Sequence, residues 1–402
     1  MMKILYVLHQ FFPHHHTGTE RLTLQIAKQI QRMGNFVSVL TYEPNNLNIS
    51  GFEKFDENLT KKEYMIETIP VISFKKTSDD SKWYDIFDPS IENALHELVQ
   101  QFDLVHFMHP QRLASVTKIC KKLNKPTILT LTDNWLLCPI GLLTHERKLC
   151  DGPEEGKKCI SECKFNNDIL TRYSEGKHFF DNIDVIFTGT DFINKTLFSN
   201  NWKRNIHLNP FSVDYSYIKL IEKKQELVFG FIGSLMWHKG VHVLIDAFKK
   251  LPNKNIKLKV YGIGAEGSTY QNQITEMIKS DSRIQYCGTF EYSKLPDVMN
   301  ELSAIVIPST YKEIFPLVMQ TALAYKIPVI ASNIGGMPEV IKDGVNGYLF
   351  ELGNVDELSK ILNNISKEPK ILDSLKKNIT EPPRVEEEAF TYFIAYNELL
   401  KK

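Results

Sequence analysis

Short apolar runs alternate with amphipathic stretches along this chain, in two series separated by a break. A short run with no polar interruption suits a strand covered on both faces, and such strands belong to parallel sheets flanked by helices. Lys3–Leu8 reads as the first strand. Residues 20–33 follow as a helix with Leu22, Ile26, Ala27 and Ile30 on one face, ended by Gly34. Further strands are expected at 36–40, 103–108, 126–131, 184–188 and 206–208. Residues 43–81 are polar, rich in Asn and Lys and without a clean period, which predicts loops and short edge strands near a cleft. The rhythm breaks over 209–224, ending in the charge run Glu222-Lys223-Lys224.

The second series starts with a strand at Leu227–Ile232, a helix at 241–250 and a strand at Ile256–Tyr261 that ends in Gly262-Ile263-Gly264. Strands follow at 304–308 and 328–332, and 343–350 reads as a turn with a hairpin-like return. The expected fold class is α/β, with two Rossmann-like domains over residues 1–212 and 213–385. A closing amphipathic helix is expected at 386–402, carrying Phe390, Phe393, Ile394 and Leu399.

Charge narrows the partners. Lys plus Arg and Asp plus Glu are 48 each, so there is no basic excess of the kind a nucleic-acid partner favours. No run reaches the roughly 18 apolar residues of a membrane span. The N-terminal run ends at His9 and Gln10 with no small-residue cleavage site, so it reads as a buried strand rather than a signal peptide. A cytoplasmic chain with six mostly reduced cysteines is the expectation.

Chemistry is expected where strands end, because ligands of open α/β sheets gather there. Thr17-Gly18-Thr19-Glu20 opens the first helix, where free amides can meet a phosphate; by itself it is also an ordinary strand-to-helix turn. His14-His15-His16, just before it, reads as a solvated loop rather than as metal ligands. Gly233-Ser234-Leu235-Met236-Trp237-His238-Lys239-Gly240 places a compact cation, Lys239, after the strand at Leu227–Ile232. The loop from Pro308 through Glu313 to Val318 offers a carboxylate that can accept from sugar hydroxyls, followed by a small-residue helix, Thr321-Ala322-Leu323-Ala324. Taken alone, Glu313 reads equally as a capping residue, and Gly335-Gly336 as a turn without a ligand.

Taken in order, Glu313 to Val318, Pro328-Val329-Ile330-Ala331-Ser332, Gly335-Gly336 and Asp343-Gly344-Val345-Asn346-Gly347-Tyr348-Leu349-Phe350 resemble the C-terminal signature of glycosyltransferase family 4, retaining enzymes of GT-B fold. Thr17 to Glu20, and Asp103-Leu104-Val105-His106-Phe107-Met108-His109, resemble that family's first-domain loop and middle strand. The resemblance implies two domains facing a cleft, with the last helix crossing back to the first domain. It implies a nucleoside diphosphate sugar, of UDP or GDP type, on the second domain and a glycan or lipid-linked saccharide as acceptor. No metal would be needed for catalysis. Lys239 would hold the diphosphate with the backbone of Phe315, Pro316, Leu317 and Val318. Glu313 would bond the sugar, Gly18 would approach the diphosphate, and Ser234, Gly262 and Thr321 fall at positions lining the donor.

Three departures stand out against that pattern. Thr321, preceded by Gln320, replaces the family's second Glu; Ser234 replaces an Arg; and Thr132 replaces a first-domain His, for which His109 and Asp133 are the candidate substitutes. With Glu313 and Lys239 they make up the expected catalytic set. The departures leave open a member that binds nucleotide sugar without turnover and partners an active transferase. A GT-B epimerase or phosphorylase is a third reading, whereas a nicotinamide dehydrogenase lacks its Gly-x-Gly-x-x-Gly. Cys138, Cys150, Cys159 and Cys163 share one polar stretch and read either as a structural zinc set or as reduced thiols, without the tight Cys-x-x-Cys pairs of a clear zinc site. Lys61, Lys62, Lys75 and Lys76, with Phe52, Phe55 and Phe74, read either as a peripheral contact for anionic lipid or as solvated surface.

Overall fold

The computed structural model describes residues 1–43, 49–78, 82–219, 226–265 and 267–401; the charge run at 222–224 lies outside them. Two compact units emerge, one of residues 1–211 with 385–402, the other of residues 212–384.

The first unit is built on a nine-stranded sheet. Its strands are β1 (Lys3–Leu8), β2 (Phe36–Tyr42), β3 (Glu53–Lys54), β4 (Leu59–Ile66), β5 (Ile69–Lys76), β6 (Leu104–Phe107) and β7 (Thr127–Leu131); the short hairpin β8 (Thr144–His145) and β9 (Lys148–Leu149) stands apart, and β10 (Val185–Thr188) and β11 (Ile206–Leu208) complete the sheet. The order is β11-β10-β7-β6-β1-β2-β5-β4-β3, parallel from β11 through β5. Ile4 to Leu8 are wholly buried, as a central parallel strand demands.

Residues 43–81 depart from expectation. Instead of loops and short edge strands, β4 and β5 are eight residues each and pair antiparallel across a two-residue turn, Ile66 opposite Ile69, with Glu67 in the left-handed region. The strand was hidden because β4 is a half-covered strand, flanked on one side by only the two-residue edge strand β3, and its alternation is made of Lys, Glu, Thr and Tyr rather than of apolar residues. The supposed basic face dissolves here too: Phe74 is in the core, and Lys76 is buried against Asp88 at 2.8 Å. Lys61 pairs with Glu63 and Lys62 with the Ser50 carbonyl.

The second unit has six parallel strands, β12 (Leu227–Ile232), β13 (Ile256–Tyr261), β14 (Ile284–Gly288), β15 (Ala304–Ile307), β16 (Val329–Ser332) and β17 (Gly347–Phe350), in the order β14-β13-β12-β15-β16-β17. Apolar cores cover both faces, one around Phe229, Phe248 and Leu358, the other around Met299, Met319 and Ile341. The expected hairpin-like return at 343–350 is instead a parallel strand, β17 beside β16. Among the described residues no helix is long and apolar enough to cross a membrane.

The last helix, Val385–Leu400, belongs to the first unit, but its expected apolar face is wrong. Phe390 is 55% exposed and Ile394 44%, while Glu388, Tyr392 and Tyr396 are buried. The reason is a buried chain of hydrogen bonds. Tyr392 OH donates to Glu388 at 3.0 Å and accepts from Thr130 at 3.2 Å. Thr130 therefore accepts from His106 Nε2 at 2.8 Å, so His106 Nδ1 accepts from Tyr396 OH at 2.7 Å, and Tyr396 accepts from Tyr6 OH at 2.9 Å. Every member is partnered, which is what makes so much buried polarity tolerable.

Burial pushes His106 down to about 3, so it stays neutral in the fold. The unfolded chain takes up that proton below about pH 6.5. The stability contributed is therefore full above that point and is lost as pH falls toward 3. At pH 5 the loss from this one group is about 2 kcal/mol. Urea unfolding at pH 7 and pH 5 should show it, and His106→Gln should flatten the slope.

Candidate functional site

In the second unit Lys239 and Glu313 lie on the loops that follow β12 and β15, and their side chains meet there. Lys239 lies at the close of the short turn Trp237–Lys239. Its Nζ donates to Glu313 at 2.7 Å and 3.1 Å, one bond to each carboxylate oxygen, and to Tyr311 OH at 2.9 Å. Glu313 is 4% exposed. The two loops are held together by backbone, Thr310 N–H donating to the His238 carbonyl at 2.8 Å. Burial, then the neighbouring Lys239 charge, takes His238 down to about 4, so it adds no second cation at neutral pH.

Glycines close the arrangement from behind. Gly335 has φ 65°, and a Cβ on it would run into the Glu313 carbonyl; Gly336 N–H donates to that same carbonyl at 2.9 Å. The Gly335-Gly336 turn thus carries the backbone of the acidic residue. Gly262 lets the backbone after β13 touch Gly233, next to Ser234, which is exposed.

Phe315 and Pro316 are buried, and the helix Leu317–Ala324 opens with Leu317 and Val318 half-buried and no side-chain cap. Uncapped opening amides are where an anion is best received. Thr321 sits one turn further, with its hydroxyl donated to the Leu317 carbonyl at 2.9 Å.

In the first unit, Gly18 is the exposed first residue of the helix Gly18–Arg32. Thr17 Oγ1 donates to Glu20 at 2.6 Å and Gln10 to the other Glu20 oxygen at 3.0 Å. His15, within the expected solvated loop, pairs with Glu43 at 3.3 Å; His14 and His16 are exposed. His109 and Asp133 do meet, Nε2 to Oδ2 at 3.1 Å. His109 Nδ1 faces the Gln111 amide at 3.4 Å, so both ring nitrogens are engaged. Asp133 is the more open partner, its side chain 45% exposed against 5% for His109. Burial acts to raise the Asp133 carboxyl but is outweighed by His109 and the Trp135 amide, which together hold it below its ordinary value. Thr132 turns its hydroxyl to the Met108 carbonyl at 3.2 Å.

Two residues of these clusters escaped sequence reasoning. Tyr311 lies beside Glu313 in the quoted loop, but nothing in its spacing marks it. His9, at the end of β1, stacks on His109 at 4.0 Å with a buried Nδ1 that has no hydrogen-bond partner. Its place just after a buried strand was the available signal.

The cysteines correct the zinc expectation. All four thiols are free, and among the described residues no three His, Cys, Asp or Glu side chains stand close enough to hold a metal ion. Cys150 donates to the Gly152 carbonyl at 3.3 Å. Burial pushes Cys159 up to about 12 and raises Cys138 and Cys163. The local fixed charge is already a cation: Arg172, 3% exposed, donates to the carbonyls of Tyr84, Leu136 and Trp135.

Gly335→Ala should lower the stability of the second unit by about 1–3 kcal/mol, because strain in φ and a backbone clash add. Gly353 has φ 71° but open space around it, and Gly353→Ala should cost about 1 kcal/mol at most. Denaturant midpoints of the two variants check the order.

The family Glycosyl transferases group 1 matches residues 217–381. An uncharacterized glycosyltransferase of Methanocaldococcus jannaschii is 32% identical over 209 residues, 50% of this chain and 56% of that protein. The capsular polysaccharide biosynthesis glycosyltransferase CapM of Staphylococcus aureus is 25% identical over 216 residues, 46% of this chain and 53% of that protein. The chain spans about half the length of the curated relatives it matches. Among solved structures, Anabaena Alr3699/HepE in complex with UDP and glucose superposes with TM-score 0.72 at 17% identity, covering 99% of this chain and 100% of the other. With two Rossmann-like sheets and a C-terminal helix returned to the first, the chain has the GT-B fold, and its residues 217–381 match the group 1 glycosyl transferases.

Proposed function

We propose that this chain moves a hexose or N-acetylhexosamine from a nucleoside diphosphate sugar to a glycan or lipid-linked saccharide, with retention, in the synthesis of a bacterial surface polysaccharide. The observation that carries this is the pairing of Lys239 with the buried Glu313 at the strand ends of the second unit. One is a cation suited to a diphosphate, the other an acceptor suited to sugar hydroxyls. The family match covers this unit, CapM supports the polysaccharide setting, and the HepE complex supports UDP as the nucleotide.

As the glycosidic bond to the nucleotide breaks, negative charge grows on the departing diphosphate. Lys239 and the opening amides of Leu317–Ala324 are fixed, positively polarised groups that stabilise it without reorganising. No step in this scheme needs a metal. Glu313 orients the sugar by accepting from its hydroxyls. In the first unit, Asp133, oriented by His109, is the carboxylate open enough to accept from an acceptor hydroxyl.

A second reading has its own support. Thr321 spends its hydroxyl on its own helix and Ser234 carries no charge, so two positions that hold Glu and Arg in the family pattern contribute little here. That favours a chain that binds nucleotide sugar without turning it over, alongside an active transferase.

Thermal-shift titration with UDP, GDP, ADP and their sugars, followed by a nucleotide-release assay, separates the readings. A ligand at a hundred times its Kd should stabilise the chain by about 2.7 kcal/mol. Lys239→Ala should cut release by about 100-fold or more. Binding without release across a broad acceptor panel would favour the second reading, and no binding at all would remove both.

A further inference from the structure

Lys239 is held in two chemically different ways. Glu313 gives it a charge partner through both carboxylate oxygens, at 2.7 Å and 3.1 Å. Tyr311 gives it a neutral acceptor, OH at 2.9 Å, with the ring centre 5.0 Å from Nζ. The Tyr311 ring is itself set edge-on against His238 at 4.8 Å, and the backbone bond from Thr310 to His238 locks its loop to the lysine's loop.

We infer that Tyr311 is a positioning residue for Lys239, and that Glu313 is the lysine's counter-ion only until a nucleoside diphosphate sugar replaces it, so that the site takes the sugar nucleotide in preference to the bare diphosphate. The inference rests on the donor role proposed above for these residues. Glu313 is buried, and a buried carboxylate released from its cation without new donors is costly. A sugar nucleotide supplies both halves of an exchange: phosphate oxygens take over Lys239, and sugar hydroxyls take over Glu313. A bare nucleoside diphosphate supplies only the first half. It must open the pair and leave the carboxylate without donors, beside added negative charge.

Throughout the exchange Tyr311 stays in place. Being neutral, it fixes where the ammonium sits without cancelling its charge, which remains available to the diphosphate. Preference for the sugar nucleotide over the diphosphate also means that the spent nucleotide is re-expelled as the carboxylate recovers its cation.

The test measures Kd for UDP and UDP-glucose, with the GDP and ADP pairs alongside, on the native chain, Tyr311→Phe and Glu313→Gln. Unliganded melting temperatures control for folding. Tyr311→Phe should weaken a bare diphosphate and its sugar nucleotide alike, by roughly tenfold, because it removes one bond to a charged group. Tyr311→Gln, which restores a neutral acceptor, should recover part of that loss. Glu313→Gln should act with opposite signs, tightening the bare diphosphate and weakening the sugar nucleotide. A structural role alone would not produce opposite signs. If the native chain binds nucleotide but Tyr311→Phe changes nothing, or Glu313→Gln weakens both ligands, this inference falls and the donor reading stands. If the native chain binds none of the nucleotides, both fall together.

Discussion

Neighbouring parallel strands can be joined only by a crossover, and that constraint organises each unit. Because consecutive parallel strands all run the same way, every strand delivers its chain to the same edge of the sheet before the crossover begins. In the second unit β12 releases the loop of Lys239 and β15 the loop of Glu313, and the two strands are neighbours. Residues more than seventy positions apart are thereby brought within a hydrogen bond of each other. No local propensity accounts for that meeting; it follows from strand order, and the hydrophobic cores on either face of the sheet maintain it.

The first unit solves a different problem, that of holding a helix that arrives from the far end of the chain. An apolar face would bind the Val385–Leu400 helix without specifying its depth or rotation. The directed chain from Tyr6 through Tyr396, His106, Thr130 and Tyr392 to Glu388 specifies both, since each hydroxyl has one donor to spend and the buried carboxylate terminates the sequence of donations. A one-residue slip would orphan several buried groups at once. The cost is exposed Phe390 and Ile394, which an apolar interface would have covered.

The same contrast explains which features could be read from the amino-acid order. Strands such as Lys3–Leu8 and Ile256–Tyr261 were visible because double burial writes an unbroken apolar run. β4 was not, because a half-covered strand near the sheet edge carries Lys61, Glu63 and Tyr64 in place of that run. The face of the last helix was misread because Tyr and Glu were counted as polar, although a complete network makes them core residues. Lys239 and Glu313 were legible as members of a family pattern, and their loops sit where strand ends place them. Tyr311 and His9 were not, since their significance lies in contacts across loops. The cysteine stretch left zinc and reduced thiols both open for a related reason: closeness along the chain says nothing of where each thiol points, and among the described residues no three candidate ligands stand close enough to hold a metal ion.

Lys239 and Glu313 face each other beside three residues that carry no charge at neutral pH. Ser234 and Thr321 stand where the family pattern has a cation and a second carboxylate, and His238 is kept neutral by burial. Relative to that pattern, one charge of each sign is absent, which leaves the formal balance unchanged. Glu313 is shielded from water, so on the donor reading proposed above the pair would open for a ligand that satisfies both partners. A site with more charges could stabilise a diphosphate through several cations and tolerate the loss of one. On the donor reading proposed above, Lys239 and the opening amides of the Leu317–Ala324 helix would meet the diphosphate, and Tyr311 would hold that ammonium in place.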